Sequence, residues 1–342
     1  MTNREIAKLL DISPATLSLI INNKPGISTS TRANVLEKLH QLGYSDLIKK
    51  EISPPASDNI CFVVYKRHGG ILDSSPFFLL IMESIESCAH KYGYNILFNS
   101  IDKRNPLKPQ MRMLNSMDCR GAVIFATEML EDDISVFSEL NFPYVILDND
   151  FPFKNLDSVA INNTLGTFQA VEHLVSMGHT KIGYLQSCIY INSFGERETG
   201  FSNALKQFGL KLNSDYIFRL DYSEEGSYRD FKHIISTGRE LPTAFFTDDD
   251  TIAAGAMKAM FEAGISVPGD VSLIGYNDRP VCSVSSPPLS SIRVPRYSFS
   301  AMAIDLLVSR IEHDRGECDA IPSYKYRIGT ELVTRASVRS LV

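Results

Sequence analysis

The amino-acid sequence predicts an α/β protein in two parts: a small all-α helix-turn-helix headpiece, followed by a larger two-lobed body with parallel sheets. Three observations lead to this prediction. The first 45 residues carry three short apolar stripes at helical spacing. The rest of the chain alternates β-rich runs with segments long enough for helices. This remainder of the 342-residue chain contains too many β-rich runs for one sheet of ordinary size.

The first two helices are predicted from their capping residues. Thr2 and Glu5 form a T-x-x-E capping box, and Asp11 ends the first helix because aspartate tolerates the left-handed backbone of a tight turn. Ser13 is the predicted N-cap of the second helix, with Pro14 at its first position. The short turn between these two helices gives the spacing of a helix-turn-helix unit, whose second helix can enter a DNA major groove.

Apolar stripes on the second and third helices predict the small core of the headpiece. Leu17, Ile20 and Ile21 lie three and four residues apart, so they form one face of the second helix. Ser28 is positioned to cap a third helix that ends at Gly43. The apolar residues of that third helix are Val35, Leu36, Leu39 and Leu42.

Residues 46–58 are predicted to be a hinge or linker after a headpiece of residues 1–45. Pro54 and Pro55 stand among small polar residues, which is typical of an interdomain connection, and residues 46–52 could form a short helix before them.

The body is predicted to divide near residue 161 into two similar α/β halves. We assign residues 59–161 and about 293–320 to an N-terminal lobe, and residues 162–292 and about 321–342 to a C-terminal lobe. Predicted helices end at Gly93, Gly178 and Gly264, which supply left-handed C-terminal stops. The predicted strands are ICFVVY, YNILFN, GAVIFA, YVILDN, SVAIN, KIGYL, YIFRL, AFFT and VSLIGY.

Composition and charge are those of a soluble globular protein, and we expect it to be cytoplasmic. No apolar run approaches the 18–20 or so residues of a membrane helix, and the first residues do not have the pattern of a signal peptide. Residues 1–50 carry seven Lys and Arg against four Asp and Glu, whereas the rest carries 27 against 36. The positive headpiece permits contact with a polyanion. The six cysteines lack a CxxC pair, so we expect no disulfide, metal or cofactor.

The headpiece resembles the LacI/GalR family of transcriptional regulators. The resemblance rests on EIAKLLDISPATLSLIINNKPGIS and TRANVLEKLHQLGY, and it covers about 45 residues. By this resemblance Pro14, Ala15 and Leu19 take positions that read base edges. The positions that would contact phosphates are Thr2, Ser13, Thr16, Ser18 and Asn22.

Leu19 departs from the family pattern, which has an arginine at this position. An arginine can bond guanine O6 and N7 together, whereas leucine offers apolar contact such as with a thymine methyl. We interpret Leu19 as a change in base preference; the alternative is a core residue of a slightly rotated helix. The family's hinge pattern is also absent, so minor-groove insertion by Ile48 or Ile52 is not expected.

The body resembles the effector domain of the same family, which is similar to periplasmic sugar-binding proteins with a ligand between two lobes. The segments VEHLVSMGHTKIGYL, ERETGF, TAFFTDDDTIAAGAMKAMFEAGISVPGDVSLIGYND and SSPPLSSIR stand in the family's order. Ligands of open parallel sheets bind beyond the carboxyl ends of the strands, where several of the matching residues fall. The predicted ligand-binding residues are Phe77, Phe78, Asp148, Arg197, Tyr222, Asp249 and Asn277.

This set of residues suits a small polyol. Carboxylates and amides pair with vicinal hydroxyls, an arginine supplies a fork of donors, and an aromatic ring covers the apolar face of a sugar. Each residue also has a structural interpretation: Phe77 and Phe78 as core, Asp148 and Asn277 as loop caps, and Arg197 as an ion-pair partner.

Two other function classes compete with a regulator. An α/β enzyme could use a metal bound by Asp248, Asp249 and Asp250 with His173 or His179 as a base, but three consecutive residues at a strand end point in different directions. The phosphate-loop and nucleophile-elbow motifs are also absent from the sequence. A solute-binding protein would leave the headpiece without a use.

The sequence therefore predicts a non-enzymatic repressor that binds double-stranded operator DNA under the control of a small molecule, most simply a carbohydrate. We expect a homodimer, because two headpieces fit a pseudo-palindromic site and no leucine heptad follows the final strand. Leu79, Met82 and Ile85 form a candidate contact stripe, with a buried core face as the alternative.

Overall fold

The computed structural model describes residues 3–21, 27–42, 44, 58–73, 77–313 and 322–342. The chain divides into two units, Met1–Ser57 and Asp58–Val342. The expectations for Thr2, Asn22, Gly43, residues 46–57 and Cys318 lie outside the described residues. Where the chain is described, no helix is long and apolar enough to cross a membrane.

The first unit contains the three predicted helices, α1 (Asn3–Leu9), α2 (Pro14–Ile21) and α3 (Thr29–Gln41). The hydroxyl of Ser13 accepts the Thr16 N–H at 2.9 Å, and Ser28 accepts that of Thr31 at 3.2 Å, so both predicted N-caps are confirmed. Asp11 has a φ of 54°, the left-handed conformation expected at this turn. The buried core consists of Ile6, Ala7, Leu10, Leu17, Ile20, Ile21, Val35 and Leu39.

The second unit is built from short strands and intervening helices, as the alternating sequence predicts. Its strands are β1 (Asn59–Lys66), β2 (Asn95–Asp102), β3 (Ala122–Phe125), β4 (Tyr144–Leu147), β5 (Ser158–Ile161), β6 (Ile182–Ser187), β7 (Ile217–Leu220), β8 (Ala244–Thr247), β9 (Ser272–Asn277), β10 (Ser290–Arg293), β11 (Lys325–Ile328) and β12 (Glu331–Val333).

The helices of this unit include the three that were predicted to end at glycines. They are α4 (Phe77–His90), α5 (Leu107–Asn115), α6 (Asn163–Ser176), α7 (Asn192–Gln207), α8 (Glu224–Ser236), α9 (Asp250–Glu262), α10 (Val281–Val284) and α11 (Arg296–His313), with 3₁₀ helices at Glu131–Glu139 and Ser214–Tyr216. Gly93, Gly178 and Gly264 follow α4, α6 and α9 with φ of 77°, 88° and 74°, which confirms the predicted stops.

The strands form two six-stranded sheets, one in each lobe. The first sheet has the order β11-β5-β4-β3-β1-β2, and the second has the order β12-β10-β9-β8-β6-β7. All pairings are parallel except that of β10 with β12. The central strands β1, β3, β8 and β9 are buried on both faces, as helix-covered parallel sheets require.

The predicted lobe boundary near residue 321 is wrong. Strand β11 pairs with β5 in the first sheet, so the last crossing between lobes lies after Ile328 and before Glu331. The error has a physical cause: β11 is an edge strand with an exposed, polar sequence, so its hydrophobicity does not distinguish one sheet from the other. The other two crossings between the sheets lie after β5, which ends at Ile161, and after β10, which ends at Arg293.

Candidate functional site

A cavity lies at the carboxyl ends of strands from both sheets. The space free of protein atoms at this position is about 400 Å³, and part of it is open to solvent. Thr127 and Asp148 follow β3 and β4 of the first lobe, while Asp249 and Asn277 come from the ends of β8 and β9 in the second lobe. Open parallel sheets bind ligands in this position, because the loops after the strands converge there. Six of the seven predicted ligand-binding residues line the cavity: Phe77, Asp148, Arg197, Tyr222, Asp249 and Asn277.

Asp148 contributes a buried carboxyl group to the first-lobe side of the cavity. Its φ is 68°, a left-handed conformation that turns the chain sharply at the end of β4. The Thr127 hydroxyl donates to Asp148 Oδ2 at 2.5 Å. Burial raises the pKa of Asp148 to about 6, although the bond from Thr127 and the charge of Arg197 favour the ionised form. Asp148 can therefore accept from a ligand hydroxyl, or donate to a ligand oxygen when it is protonated.

Arg197 projects from α7 and is only 3% exposed. Its Nε donates to Asn163 Oδ1 at 2.9 Å, and its Nη1 donates to the backbone oxygen of Asp248. The guanidinium carbon lies 3.6 Å from the centroid of the Tyr276 ring. These contacts fix the plane of the guanidinium group, so it can present its donors to a ligand in one orientation.

Asp249 and Asn277 form a bonded pair on the second-lobe side. Asn277 Nδ2 donates to Asp249 Oδ2 at 2.6 Å, and the Thr251 N–H donates to Asp249 Oδ1 at 2.7 Å. Asp249 is thereby the N-cap of α9. Arg279 Nη1 lies 3.4 Å from Asp249 Oδ1 and donates to Thr251 Oγ1 at 2.6 Å. Asp249 therefore has a structural role in addition to its place in the cavity wall.

Apolar side chains form the remainder of the cavity wall. Tyr222 lies beside Phe194, with ring centroids 5.9 Å apart, and both belong to the apolar cluster of the second lobe. The other apolar lining residues are Ile71, Leu72, Phe77, Phe125, Ile161 and Ile191.

Phe78 is the one predicted ligand-binding residue that does not line this cavity. Its ring stacks on Phe98 at 6.5 Å, on the outer side of β2. Adjacent residues of a helix point about 100° apart, so a helix that turns Phe77 towards the cavity must turn Phe78 elsewhere.

Several lining residues were missed by the sequence prediction. Thr127 follows a buried strand in the same way as Asp148, and that rule could have found it. Ser193 and Phe194 begin α7 four and three residues before Arg197, on a helix already implicated. No local pattern marks Ile71 and Leu72, which reach the cavity through tertiary contacts.

The three consecutive aspartates do not form a metal site. Asp248 accepts from the Tyr184 hydroxyl and from the Ser187 N–H, whereas Asp250 accepts from Ser291 Oγ at 2.7 Å. Burial raises the pKa of Asp248 to about 7. The carboxylates thus have separate partners, and no group of three potential metal ligands is present among the described residues.

The predicted base histidines lie away from the cavity. His179 is buried, with its Nδ1 2.9 Å from Thr243 Oγ1, and burial lowers the pKa of both His173 and His179. Neither residue lines the cavity.

The outer surface of α2 keeps the residues that were predicted to contact DNA accessible. Ser13, Pro14, Ala15 and Ser18 are exposed, and Thr16 is half-buried. The Ser13 and Thr16 hydroxyls lie 2.8 Å apart. Leu19 is also half-buried, and it is not one of the side chains that form or pack against the described headpiece core. The alternative in which Leu19 is a core residue is therefore not supported.

The fold and the cavity define a class: a two-lobed binding domain carried with a helix-turn-helix unit. A family model of a periplasmic binding protein-like domain matches residues 171–338. The chain is 27% identical to the HTH-type transcriptional repressor PurR of Actinobacillus pleuropneumoniae serotype 3 (strain JL03), over 99% of each chain. It is 28% identical to the repressor of the same name from Haemophilus influenzae (strain PittEE), over 100% of this chain and 99% of the relative.

Solved structures share the fold. The transcriptional regulator CelR in complex with cellobiose matches with a TM-score of 0.72 at 21% identity, covering 98% of this chain and 99% of CelR. The Lac repressor dimer bound to operator and an anti-inducer matches with a TM-score of 0.70 at 22% identity, covering 99% of each chain.

Over its whole length the chain is similar to HTH-type transcriptional repressors, as its resemblance to the LacI/GalR family predicts. The predicted fold class is confirmed, and the full-length relatives are repressors rather than enzymes, in agreement with the prediction that the chain is not an enzyme.

Proposed function

We propose that this regulator binds operator DNA under the control of a hydroxyl-rich small molecule, a sugar or sugar derivative, held in the cavity between its two lobes. The observation that carries the proposal is the composition of the cavity wall. Arg197, two carboxyl groups and an amide face a space whose other walls are aliphatic and aromatic. Vicinal hydroxyls can satisfy such polar groups, while the C–H face of a sugar ring can pack on the apolar walls.

The charge of the cavity supports a neutral or amino-bearing ligand over a phosphorylated one. Asp148 and Asp249 both line the cavity, against Arg197 as the one lining residue of positive charge among the described residues. The guanidinium of Arg197 already has two hydrogen-bond partners within the protein. A phosphate would bring about two more negative charges to a site that holds two carboxyl groups, at a large desolvation cost.

A thermal-shift experiment tests the ligand class. Cellobiose, ribose and adenine serve as a disaccharide, a monosaccharide and a purine base, since the relatives include a cellobiose complex and repressors named PurR. A ligand at a hundred times its dissociation constant stabilises the folded protein by about 2.7 kcal/mol. We expect a sugar to raise the melting temperature; stabilisation by adenine alone would replace the carbohydrate proposal with a purine one.

The proposed DNA contacts divide between base reading and phosphate binding. Pro14, Ala15 and Leu19 would face base edges, and the accessible hydroxyls of Ser13, Thr16 and Ser18 would bind phosphates, together with Thr2 and Asn22. In a gel-shift selection on randomised half-sites, L19R should change the preferred sequence towards guanine at one position, worth about 1–3 kcal/mol. An unchanged preference would contradict base reading by Leu19.

We also propose a homodimer, in which the outer face of α4 and β2 forms part of the contact. Leu79 and Phe98 are 53% and 50% exposed, and Phe98 stacks on Phe78. Of the stripe predicted from sequence, Leu79 is exposed and Met82 is half-buried, but Ile85 is buried in the core and cannot contribute.

Light scattering at micromolar concentration tests this assembly. We expect a mass of about twice the 38.2 kDa of one chain. L79D should shift the mass towards that of one chain, whereas L212D, at a leucine of the second lobe that is 51% exposed, should not. A dimer unaffected by L79D would move the contact to another face.

A further inference from the structure

A buried carboxylate outside the cavity holds a segment of backbone that forms part of the cavity wall. Glu128 follows β3 and is 1% exposed. Its Oε2 accepts the backbone N–H groups of Arg67, His68 and Gly69 at 3.0, 3.1 and 2.8 Å. Its Oε1 accepts those of Ile71 and Leu72 at 2.9 and 3.0 Å. One side chain thus binds five backbone donors.

We name residues 67–72 the 67–72 segment. Its one remaining backbone N–H group, that of Gly70, is also paired. Gly70 N donates to His68 Nδ1 at 3.0 Å, and that ring nitrogen lies 3.5 Å from Glu128 Oε1. Every backbone donor of the segment therefore ends on Glu128 or on His68 beside it. Successive N–H groups that point inward form an anion-binding nest, and here the anion is supplied by the protein itself.

The conformation of the 67–72 segment depends on these bonds. The segment contains neither helix nor strand, and Gly69 has a φ of 72°. Without Glu128 the buried donors would lack partners, which is costly in a protein interior. The segment would then have to rearrange to expose them to water.

Two side chains of the segment belong to different apolar clusters. Leu72 belongs to the buried cluster that contains Phe77 and includes residues of both lobes, whereas Ile71 packs in the apolar cluster of the second lobe with Ile191 and Phe194. Both side chains are 4% exposed, and both line the cavity. The neighbouring Gly70 approaches Ile189 of the second lobe so closely that an added Cβ would lie 2.6 Å from its Cδ1.

We propose that Glu128 is a positioning residue for effector binding: it holds the 67–72 segment in the conformation that carries Ile71 across the cleft to close the cavity. The inference rests on the proposed function for the ligand, but the anchoring of the segment can be tested without one. Glu128 does not line the cavity, so it acts through Ile71 and Leu72 rather than by contact with the ligand.

Hydrogen exchange of the full-length protein tests the anchoring. E128Q keeps the shape of the side chain but replaces one acceptor oxygen with an NH₂ group that faces N–H donors. We expect the amides of the 67–72 segment to exchange at least tenfold faster, while those of β1 and β3 keep their protection. E128D keeps the charge on a shorter stem and should give an intermediate rate, so the test survives if E128Q does not fold.

D157N is the matched control for general destabilisation of the first lobe. Asp157 is a largely buried carboxylate of the same lobe that accepts from Arg310 Nε and Nη2 at 2.6 and 2.7 Å. In D157N the amide hydrogen-exchange rates of the 67–72 segment should stay within about twofold of those of the wild type. Equal acceleration in D157N and E128Q, or none in E128Q, would overturn the proposal.

A double-mutant cycle tests the effect on the cavity, with whichever of cellobiose, ribose or adenine stabilises the wild type as the probe. E128Q and I71A should each weaken binding at least fivefold. If Glu128 acts through Ile71, the double variant should bind within about twofold of the weaker single variant. If the loss of affinity in the double variant equals the product of the losses in E128Q and I71A, the two residues act independently, and the positioning role of Glu128 is overturned. If none of the three compounds binds, the proposed ligand classes fail, while the exchange result still decides the role of Glu128.

Discussion

The two sides of the cavity are built differently. On the second-lobe side, Arg197, Asp249 and Asn277 are each held by hydrogen bonds within that lobe. On the first-lobe side, Asp148 is bonded to Thr127, and most of the wall is apolar and includes a segment anchored on Glu128. Fixed donors and acceptors select a ligand by their geometry, whereas apolar walls gain from any close fit.

This difference assigns separate tasks to the two lobes. In the proposed ligand-binding role, the second lobe would present a preformed polar template, and the first lobe would cover it through side chains such as Ile71, which packs in the apolar cluster of the second lobe. Two polar contacts complete the closure: Asn192 Nδ2 donates to Asn149 Oδ1 at 2.9 Å, and Arg327 pairs with Glu196 at 2.5 Å. A ligand that binds this closed form more tightly than an open one can shift the arrangement of the lobes by its differential affinity.

The largest expected effect is that of R197A on the second-lobe template. A charge-assisted donor in a closed cavity contributes about 1.5–3 kcal/mol, so calorimetry should show ligand affinity reduced about ten- to hundredfold. R197K, which keeps the charge but not the planar fork, should also bind more weakly than the wild type. R229A, at an exposed arginine of the same lobe, is the control. Unaltered affinity in R197A would contradict the proposal that the second-lobe side of the cavity is a polar template for the ligand.

A smaller effect is expected from D249N, which disrupts the pair with Asn277. Asp249 now accepts N–H groups from Thr251, Asn277 and Arg279, and at least one of these donors would face an NH₂ group instead. We expect about 1 kcal/mol weaker binding, or about fivefold, together with a changed order of preference among sugars. The D249N/N277D double variant restores a donor and acceptor pair with opposite direction. Its failure to recover any affinity would mean that the charge of Asp249, rather than the bonded pair, determines binding.

The smallest expected effect concerns the pH dependence of Asp148 on the first-lobe side. Its pKa is about 6 in the folded protein, against an ordinary value of 3.8. The folded state therefore binds more protons between these pH values, and stability should fall as pH rises through this window. Urea unfolding at pH 4, 5 and 6 should show a flatter dependence for D148N, by up to about 1 kcal/mol per pH unit.

The exposed Asp215 provides the control for this measurement, since D215N removes a carboxylate without burial. Asp248 and Asp250, whose pKa values burial also raises, remain in all three proteins. Parallel curves for D148N and the wild type would show that Asp148 is ionised in the folded state as readily as in the unfolded chain.

Most of the fold was predictable because local patterns agree with the tertiary structure. Ser13 and Ser28 are capping residues that act within one helical turn, and the apolar stripes of α2 and α3 need only a common core. The polar residues of the cavity were predictable for a related reason. In parallel sheets the strand ends converge, so Asp148, Asp249 and Asn277 could be placed from their positions after buried runs together with the family resemblance.

The features that the sequence left undetermined depend on contacts between distant segments. Strand β11 carries Lys325 and Arg327 to the first sheet, where they pair with Asp150, a residue some 175 positions earlier in the chain. Phe77 and Phe78 are equivalent in the sequence, and only the rotation of α4 against its lobe separates a lining residue from a surface one. The positions of the strands in the sequence predict neither the sheet that β11 joins nor which of the two phenylalanines faces the cavity.

The sequence by itself determined the class of the protein, the three helices of the headpiece and six of the seven proposed ligand-binding residues that the cavity brings together, because short-range periodicity, caps and family motifs carry that information. Only the tertiary structure decided which wall is polar and which is apolar, and it alone revealed the hydrogen bonds of Glu128 on which its proposed role rests. The five donors bound by Glu128 come from a segment almost 60 residues away that has no secondary structure of its own. Hydrogen bonds of that kind leave no periodic trace in a sequence, since they depend on where the folded chain brings two irregular segments together.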